Sequence, residues 1–233
     1  MKRLVVFTGA GISAESGINT FRDSNGLWEQ YRIEDVATPQ AFQRNPALVL
    51  EFYNQRRRQV KQAKPNAAHI ALVELQKYFK TQIITQNIDD LHERAGSTNV
   101  IHLHGQIMQA RSTGDESLIY NLESTEIAIG DKCEKGFQLR PHIVWFGEMV
   151  PEMERAAYQA SMADIFIVIG SSLEVYPAAG LINYAPEHAH KYLIDPKAKE
   201  DLYHISNLSV IKNTAGKAVP QLVKKLIENT HAS

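Results

Sequence analysis

RLVVFTGAGISAESGI, residues 3–18, reads as a buried strand that runs directly into a glycine-rich turn and the start of a helix. Its first half, Arg3 to Thr8, is a continuous apolar run without alternation, as expected of a strand covered on both faces. Its second half fits the G-x-G-x-x-(G/A) fingerprint through Gly9, Gly11 and Ala14, with Ala10 in the same turn. Small residues there let the backbone approach a pyrophosphate at a helix N-terminus, where free N–H groups and the helix dipole favour negative charge. By itself the pattern also fits a tight strand-to-helix turn packed against a sheet.

Similar runs recur outward from this segment: TQIIT at 81–85, NVIHLH at 99–104, IFIVIG at 165–170, KYLID at 191–195 and LSVIK at 208–212. Helical stretches alternate with them, from Pro46, from Asn66 and over AVPQLVKKLIEN near the end. This rhythm predicts an α/β fold, a Rossmann-type doubly wound parallel sheet. Residues 106–142 break it, being polar and turn-rich, and predict a small inserted second domain. The expected division gives a large domain of about 1–30, 75–105 and 143–233, and a small one of about 31–74 and 106–142. A further irregular stretch from Phe21 to Pro39, with Gly26 and Trp28, predicts a loop over a cofactor. No acidic residue closes a second strand about 20 residues after the glycines, unlike a dehydrogenase unit. Asp195 does end a strand, where its carboxylate could accept from a ribose diol or initiate a turn before Pro196.

Twenty-five Lys plus Arg against 26 Asp plus Glu leave a net charge of -1, which offers no electrostatic footprint for nucleic acid or an anionic membrane. The apolar start of MKRLVVF stops at Thr8, too soon for a secretory leader, and no segment approaches the roughly 20 apolar residues of a membrane span. A soluble cytoplasmic protein is expected. The single cysteine, Cys133, excludes an intrachain disulfide and any zinc site built from several thiolates.

Three further segments carry candidate chemistry: TQNIDDLHERAG at 85–96, HLHG at 102–105 and PHIVWFGE at 141–148. Asn87 and Asp89 follow a strand directly, at the edge where open α/β sheets bind ligands; Asp89 or Asp90 could equally cap a helix. His104 ends a strand before Gly105, and an imidazole that titrates near neutrality can act as a general base. His102 shares its strand face, so HLH could instead be a metal pair, although no motif places a third ligand. Tyr53 and Arg56 lie three residues apart and share a helix face. A guanidinium there could grip a carboxylate bidentately, or Arg56, Arg57 and Arg58 could form a solvated basic face with Tyr53 in the core. IVWF also reads as an ordinary core strand.

Taken in order with GAGISAESGI, GSSLEVYPAAG from Gly170 and NTAGKAVPQL from Asn213, these motifs cover nearly the whole chain, which resembles the sirtuins. The resemblance implies NAD as a consumed co-substrate, acylated-lysine proteins as partners, and nicotinamide, deacylated lysine and O-acyl-ADP-ribose as products. It makes His104 the catalytic base, sets Asn87 on the ribose and a water, and Asp89 on the nicotinamide carboxamide. Gly9, Ala10, Gly11, Ala14, Gln86, Ile88, Gly170, Ser171, Ser172, Asp195 and Ala215 would line the NAD site. Phe21 and Arg22 would cover the nicotinamide side and phosphates, together with Trp28; Asn19 and Thr20 stand where relatives often have Pro-Asp. Val144, Phe146, Gly147 and Val175 would hold the peptide by strand addition.

Tyr53 and Arg56 match the Tyr-x-x-Arg signature of members that remove succinyl, malonyl or glutaryl groups, and Ala37 matches the small residue that keeps their pocket roomy. Both deacetylation and desuccinylation are expected. Most sirtuins order the small domain with zinc on four cysteines. Here only Cys133 is present, with Ser112 near the first cysteine's place, so zinc is not expected and packing through Leu118, Ile119, Leu122, Ile127 and Ile129 should substitute. A mono-ADP-ribosyltransferase and a non-catalytic NAD or ADP-ribose sensor are the competing readings, with a dehydrogenase further off. Nothing marks an oligomer interface.

Overall fold

A computed structural model describes residues 1–18, 31–173, 175–198 and 205–231; Phe21, Arg22 and Trp28 lie outside the described residues. Six strands form one sheet: β1 (Arg3–Thr8), β2 (Lys80–Thr85), β3 (Val100–His102), β7 (Ile165–Ile169), β8 (His190–Ile194) and β9 (Leu208–Ile211). Their order is β3-β2-β1-β7-β8-β9 and every pairing is parallel. The chain therefore winds outward from β1 in one direction, returns to β7, and winds outward in the other. The crevice at the carboxyl ends of β1 and β7 is the topological switch point, where such sheets bind ligands.

The apolar runs are explained by burial on both faces. Leu4, Val6, Ile83, Ile167 and Ile169 pack with helices Ala67–Leu75 and Ala215–His231. Val5, Phe7, Ile84, Phe166 and Val168 point the opposite way, with helix Met153–Ser161 and the 3-10 helix Ala178–Tyr184. Successive side chains of β1 thus enter different cores, and each fully buried large side chain contributes about 1.5–3 kcal/mol.

A second, antiparallel sheet holds β4 (Gly105–Ser112), β5 (Ile119–Asn121) and β6 (Leu139–Ile143) in the order β5-β4-β6. Helices Ile33–Val36, Pro39–Arg44 and Pro46–Gln62 accompany it. Pro46 opens the longest of these at a first-turn position, and the Asn45 side chain accepts from Leu48 N at 3.1 Å. Val36, Ala41, Val49, Phe52, Val60, Ile107, Ile143 and Trp145 share its core.

The strand expected over 99–104 ends at His102, so His104 is not a strand residue. Leu103 and His104 form the two-residue turn by which the chain leaves one sheet and enters the other. Gly105 makes that turn possible: its φ is +78°, and a Cβ there would lie 2.1 Å from the His142 carbonyl oxygen.

The small unit is ordered differently from the packing read in the sequence. Ile127 is buried with Leu50 and Ala110, and Leu122 packs against them. Ile119 and Ile129, at 45% and 58% exposure, do not join the core. Polar contacts do much of the work, since Arg57 is fully buried and donates to the carbonyls of Ile107 and Thr125, both at 2.9 Å, and to Asn54. Asn54 in turn pairs with both backbone groups of Ile127. Burial lowers the Arg57 pKa to about 10, which still leaves it charged at neutral pH. With Arg56 also buried and Arg58 paired to Glu51 and Glu126, these three arginines are not a solvated basic face.

Candidate active site

At the switch point the loop after β1 crosses the loop after β7. Gly9 N donates to Ile169 O at 3.0 Å and Gly11 N to Gly170 O at 2.8 Å. The crossing needs glycine on both sides: a Cβ on Gly11 would lie 2.6 Å from Gly170 Cα, and one on Gly170, whose φ is +61°, would lie 2.4 Å from Ile12 N. The helix that follows is a single turn, Gly11–Ala14, and the amides of Ile12 and Ser13 donate back to Gly9 O and Ala10 O. The free helical N–H groups read into GAGISAESGI are thus largely used within the turn. The glycines bring two backbones together, and Ala10 and Ala14 stand exposed on the surface of that turn.

Beside this crossing lies a buried relay. Asn87 Nδ2 donates to Gly9 O and to Ser13 Oγ, both at 3.1 Å, and Ser13 Oγ donates to Asp89 Oδ2 at 3.0 Å. Asp89 Oδ1 accepts from Leu91 N at 3.1 Å, so Asp89, and not Asp90, supports the start of helix Leu91–Ala95. Burial raises the Asp89 pKa above the usual carboxylate value, against those hydrogen bonds. From behind, Thr8 Oγ1 donates to Thr85 Oγ1, which accepts from Asn87 N.

His102 and His104 hold successive carbonyls of the same loop. His104 Nδ1 lies 3.0 Å from Gln86 O and His102 Nδ1 3.1 Å from Asn87 O. A carbonyl only accepts, so Nδ1 carries a proton in both rings, and because the Glu93 carboxylate also only accepts, His102 Nε2 carries one too while His104 does not need to. The Nε2 lone pair of His104 is then the basic site, and burial lowers its pKa, against the Gln86 contact, so the ring is neutral at pH 7. His102 Nε2 is instead bound to Glu93 at 2.7 Å; burial alone would lower its pKa, and Glu93 outweighs this and raises it. With both nitrogens of His102 engaged, that ring has no free lone pair to share with His104 in holding a metal.

Gln86 Oε1 accepts from Ser171 Oγ at 3.1 Å, Ile88 O accepts from Ile107 N, and Ser172 is half-buried. Asp195 stands at the carboxyl end of β8, with one oxygen accepting from Lys197 N at 2.7 Å, the turn contact foreseen as its alternative. Ala215 opens the C-terminal helix, tied to the glycine turn by Glu15, which accepts from Thr214 Oγ1 and Gly216 N. Among the described residues no hydrogen bond joins Asp195 or the exposed Val175 to the relay.

On the other side of the cleft, Tyr53 and Arg56 are buried on one face of helix Pro46–Gln62. Burial lowers the Arg56 pKa, and Tyr53 and Asp89 act in the opposite sense, so the guanidinium feels both. Tyr53 Oη accepts from Trp145 Nε1 at 3.0 Å, and burial lifts the phenol to about 12. The segment expected to extend as a strand leaves the sheet at Ile143. Val144 N donates to His104 O at 2.9 Å, Phe146 N donates to Ala37 O at 3.0 Å, and Gly147 turns with φ +89°.

Sequence reading missed Ser13, Trp145 and Glu148 as site residues, although all three stand inside the quoted motifs. Glu148 accepts from Arg140, from Arg111 at 3.1 Å and from Trp145 N at 2.7 Å. Arg111 and Arg140 face each other on β4 and β6. A carboxylate five residues past a strand does not announce such partners.

Comparison with known proteins agrees with this geometry. Residues 9–177 match the Sir2 family. An NAD-dependent protein deacylase of Bacteroides thetaiotaomicron is 51% identical over 232 residues, spanning 97% of this chain and 99% of that protein. One from Helicobacter pylori is 51% identical over 228 residues, spanning 98% and 99%. A solved Sir2 homolog–NAD complex superposes with a TM-score of 0.87 at 43% identity, covering 98% of this chain and 90% of that one. With the glycine crossing, the Asn87–Ser13–Asp89 relay and these matches together, the chain belongs to the Sir2 family.

Proposed function

We propose that this protein is an NAD-dependent protein-lysine deacylase that removes both succinyl or malonyl and acetyl groups, acting in the cytoplasm on acylated proteins. The observation that carries the reading is His104: a neutral imidazole whose Nδ1 holds Gln86 O, in the loop that also carries Asn87 and Asp89, and whose Nε2 is available as a base. The residues fit NAD, since side-chain-free glycine backbone borders the switch point and buried amide and carboxylate groups stand next to it.

When bound, NAD supplies a ribosyl carbon that releases nicotinamide and takes up the acyl oxygen. In this proposal Asp89 accepts from the nicotinamide carboxamide, and Ser13 and Leu91 N fix the carboxylate in place. Asn87, anchored on Gly9 O and Ser13, positions the ribose and a water. His104 Nε2 would accept a proton from a ribose hydroxyl and so activate that oxygen. Gly9, Ala10, Gly11, Ala14, Gln86, Ile88, Gly170, Ser171, Ser172, Asp195 and Ala215, with Phe21, Arg22 and Trp28, are assigned to NAD. Val144, Phe146, Gly147 and Val175 are assigned to the peptide.

The acyl assignment rests on Tyr53 and Arg56, whose shared buried helix face supports recognition of a distal carboxylate beside Ala37. We also propose that the small unit forms without zinc; the Cys133–Ser112 contact at 3.3 Å and the Arg57–Asn54 contacts support this. The division proposed is a large domain of about 1–30, 75–105 and 143–233 and a small one of about 31–74 and 106–142, with the first part of the small one better ended near residue 63, because helix Ala67–Leu75 packs with the large sheet. Stoichiometric zinc in the purified, untagged protein would overturn the metal assignment.

The test is mass spectrometry of matched acetyl-lysine and succinyl-lysine peptides, with and without NAD. NAD-dependent loss of both acyl masses with formation of O-acyl-ADP-ribose is expected. Added ADP-ribose mass on the acceptor would favour a transferase, and intact peptides with bound NAD would favour a sensor.

A further inference from the structure

The donor and acceptor inventory around Tyr53 extends beyond the two residues of the acyl signature. Trp145 is 3% exposed and Tyr53 2%. An indole N–H can only donate, so in their 3.0 Å contact the phenol is the acceptor and keeps its own proton for another partner. Among the described residues that proton has no acceptor. The neighbouring Arg56 offers only donors. Burial holds the phenol protonated, with its pKa at about 12.

Trp145 is itself held firmly. Its backbone N–H donates to Glu148 Oε2 at 2.7 Å, and the Arg140 guanidinium, bonded to both Glu148 oxygens, lies 3.3 Å from the indole centroid. Phe42 closes another side at 5.4 Å between ring centroids. A cation over the ring draws electron density toward itself and strengthens the indole as a donor.

We propose that Trp145 is a specificity-setting positioning residue: locked by the Glu148–Arg140 pair, its indole N–H fixes the Tyr53 hydroxyl so that the phenolic proton is presented to a carboxylate on the acyl group. This rests on the acyl-carboxylate reading of Tyr53 and Arg56. An acetyl group has no distal carboxylate, so the contact discriminates between substrates and does not serve both alike.

The test compares kinetics on matched succinyl-lysine and acetyl-lysine peptides. Trp145→Phe keeps an aromatic ring and removes the N–H. It should raise KM for the succinylated peptide about fivefold relative to KM for the acetylated one, with the ratio of kcat values retained. In a Tyr53→Phe background the same change should leave the KM ratio where it is, because the hydroxyl it acts through is gone. Equal effects on both peptides, or a persistent effect without the Tyr53 hydroxyl, would overturn the proposal.

Arg56→Met separates the two levels. If it too leaves the ratio unchanged, the acyl-carboxylate reading falls; if it collapses the ratio while Trp145→Phe does not, only the role of Trp145 falls. Wild-type protein gives a reading independent of variant folding. The chain has two tryptophans, Trp28 and Trp145, so Trp28→Phe assigns their indole N–H resonances. The Trp145 resonance should move further with succinyl-lysine peptide than with acetyl-lysine peptide, and equal shifts would refute the inference.

Discussion

The six-stranded sheet and the three-stranded sheet achieve order by different means. In the larger one, β1 sends alternate apolar residues into two separate cores, and the strands are held by burial from both sides. In the smaller one, Ile119 lies exposed, while the fully buried Arg57 and the nearly buried Arg111 and Arg140 hold carbonyls and a carboxylate. Apolar burial is diffuse, and losing one contact leaves the rest. A buried charge concentrates stability in a few groups whose loss leaves partners unsatisfied.

The largest expected effect tests whether the residue between the two regions belongs to either by stability. His104→Ala should lower kcat/KM about a thousandfold while leaving the melting temperature unchanged; a comparable loss of folding would make His104 a structural joint. In wild type, activity should fall as pH drops through the lowered pKa of His104, and hold to more acidic pH than an ordinary imidazole would allow.

A second prediction probes a polar exception inside the larger region. His69 is fully buried on helix Ala67–Leu75, and burial lowers its pKa from 6.5 to about 4. The unfolded chain therefore binds a proton that the native state refuses. Stability from this group is complete above pH 6.5 and is lost as pH falls toward about 4, by about 3 kcal/mol in all. Urea titrations across that range should show the slope, and it should flatten in His69→Gln.

Arg57→Met addresses the smaller region directly. It strands the carbonyls of Ile107 and Thr125, and should cost about 2 kcal/mol. Hydrogen exchange should quicken in β4 to β6 well before β1, β2 and β7. Uniform loosening of both sheets would erase the contrast. The smallest effect belongs to Cys133→Ala, which removes a weak thiol contact to Ser112 and should change stability by under about 1 kcal/mol. A large loss there would mean that the thiol does more than pack.

The same contrast explains what could be read in advance. Strands of the larger sheet were legible because most are built on β-branched and aliphatic runs, as in Leu4–Phe7 and Ile165–Ile169, and their positions, from Arg3–Thr8 to Leu208–Ile211, follow that pattern closely. Asn87, Asp89 and His104 were legible as motif members at strand ends. The smaller region was legible only as an interruption, because Asn54 and Arg57 satisfy backbone groups about 70 and 50 residues away, and no local periodicity encodes that pairing. Ser13 was hidden for a related reason: its hydroxyl matters through Asn87 and Asp89, which are adjacent in space and not in sequence. His104 was placed one element wrong, since an apolar run does not say where a strand gives way to a turn.

That turn has a mechanical consequence. Only Leu103 and His104 separate β3 from β4, and His104 is pinned on one side by Gln86 O and on the other by Val144 N. That connection has no slack of its own to absorb a rotation of one sheet against the other. A rotation of one sheet against the other pulls on the imidazole through this connection, so the alignment of the proposed base would act as a gauge of how far the two halves have come together.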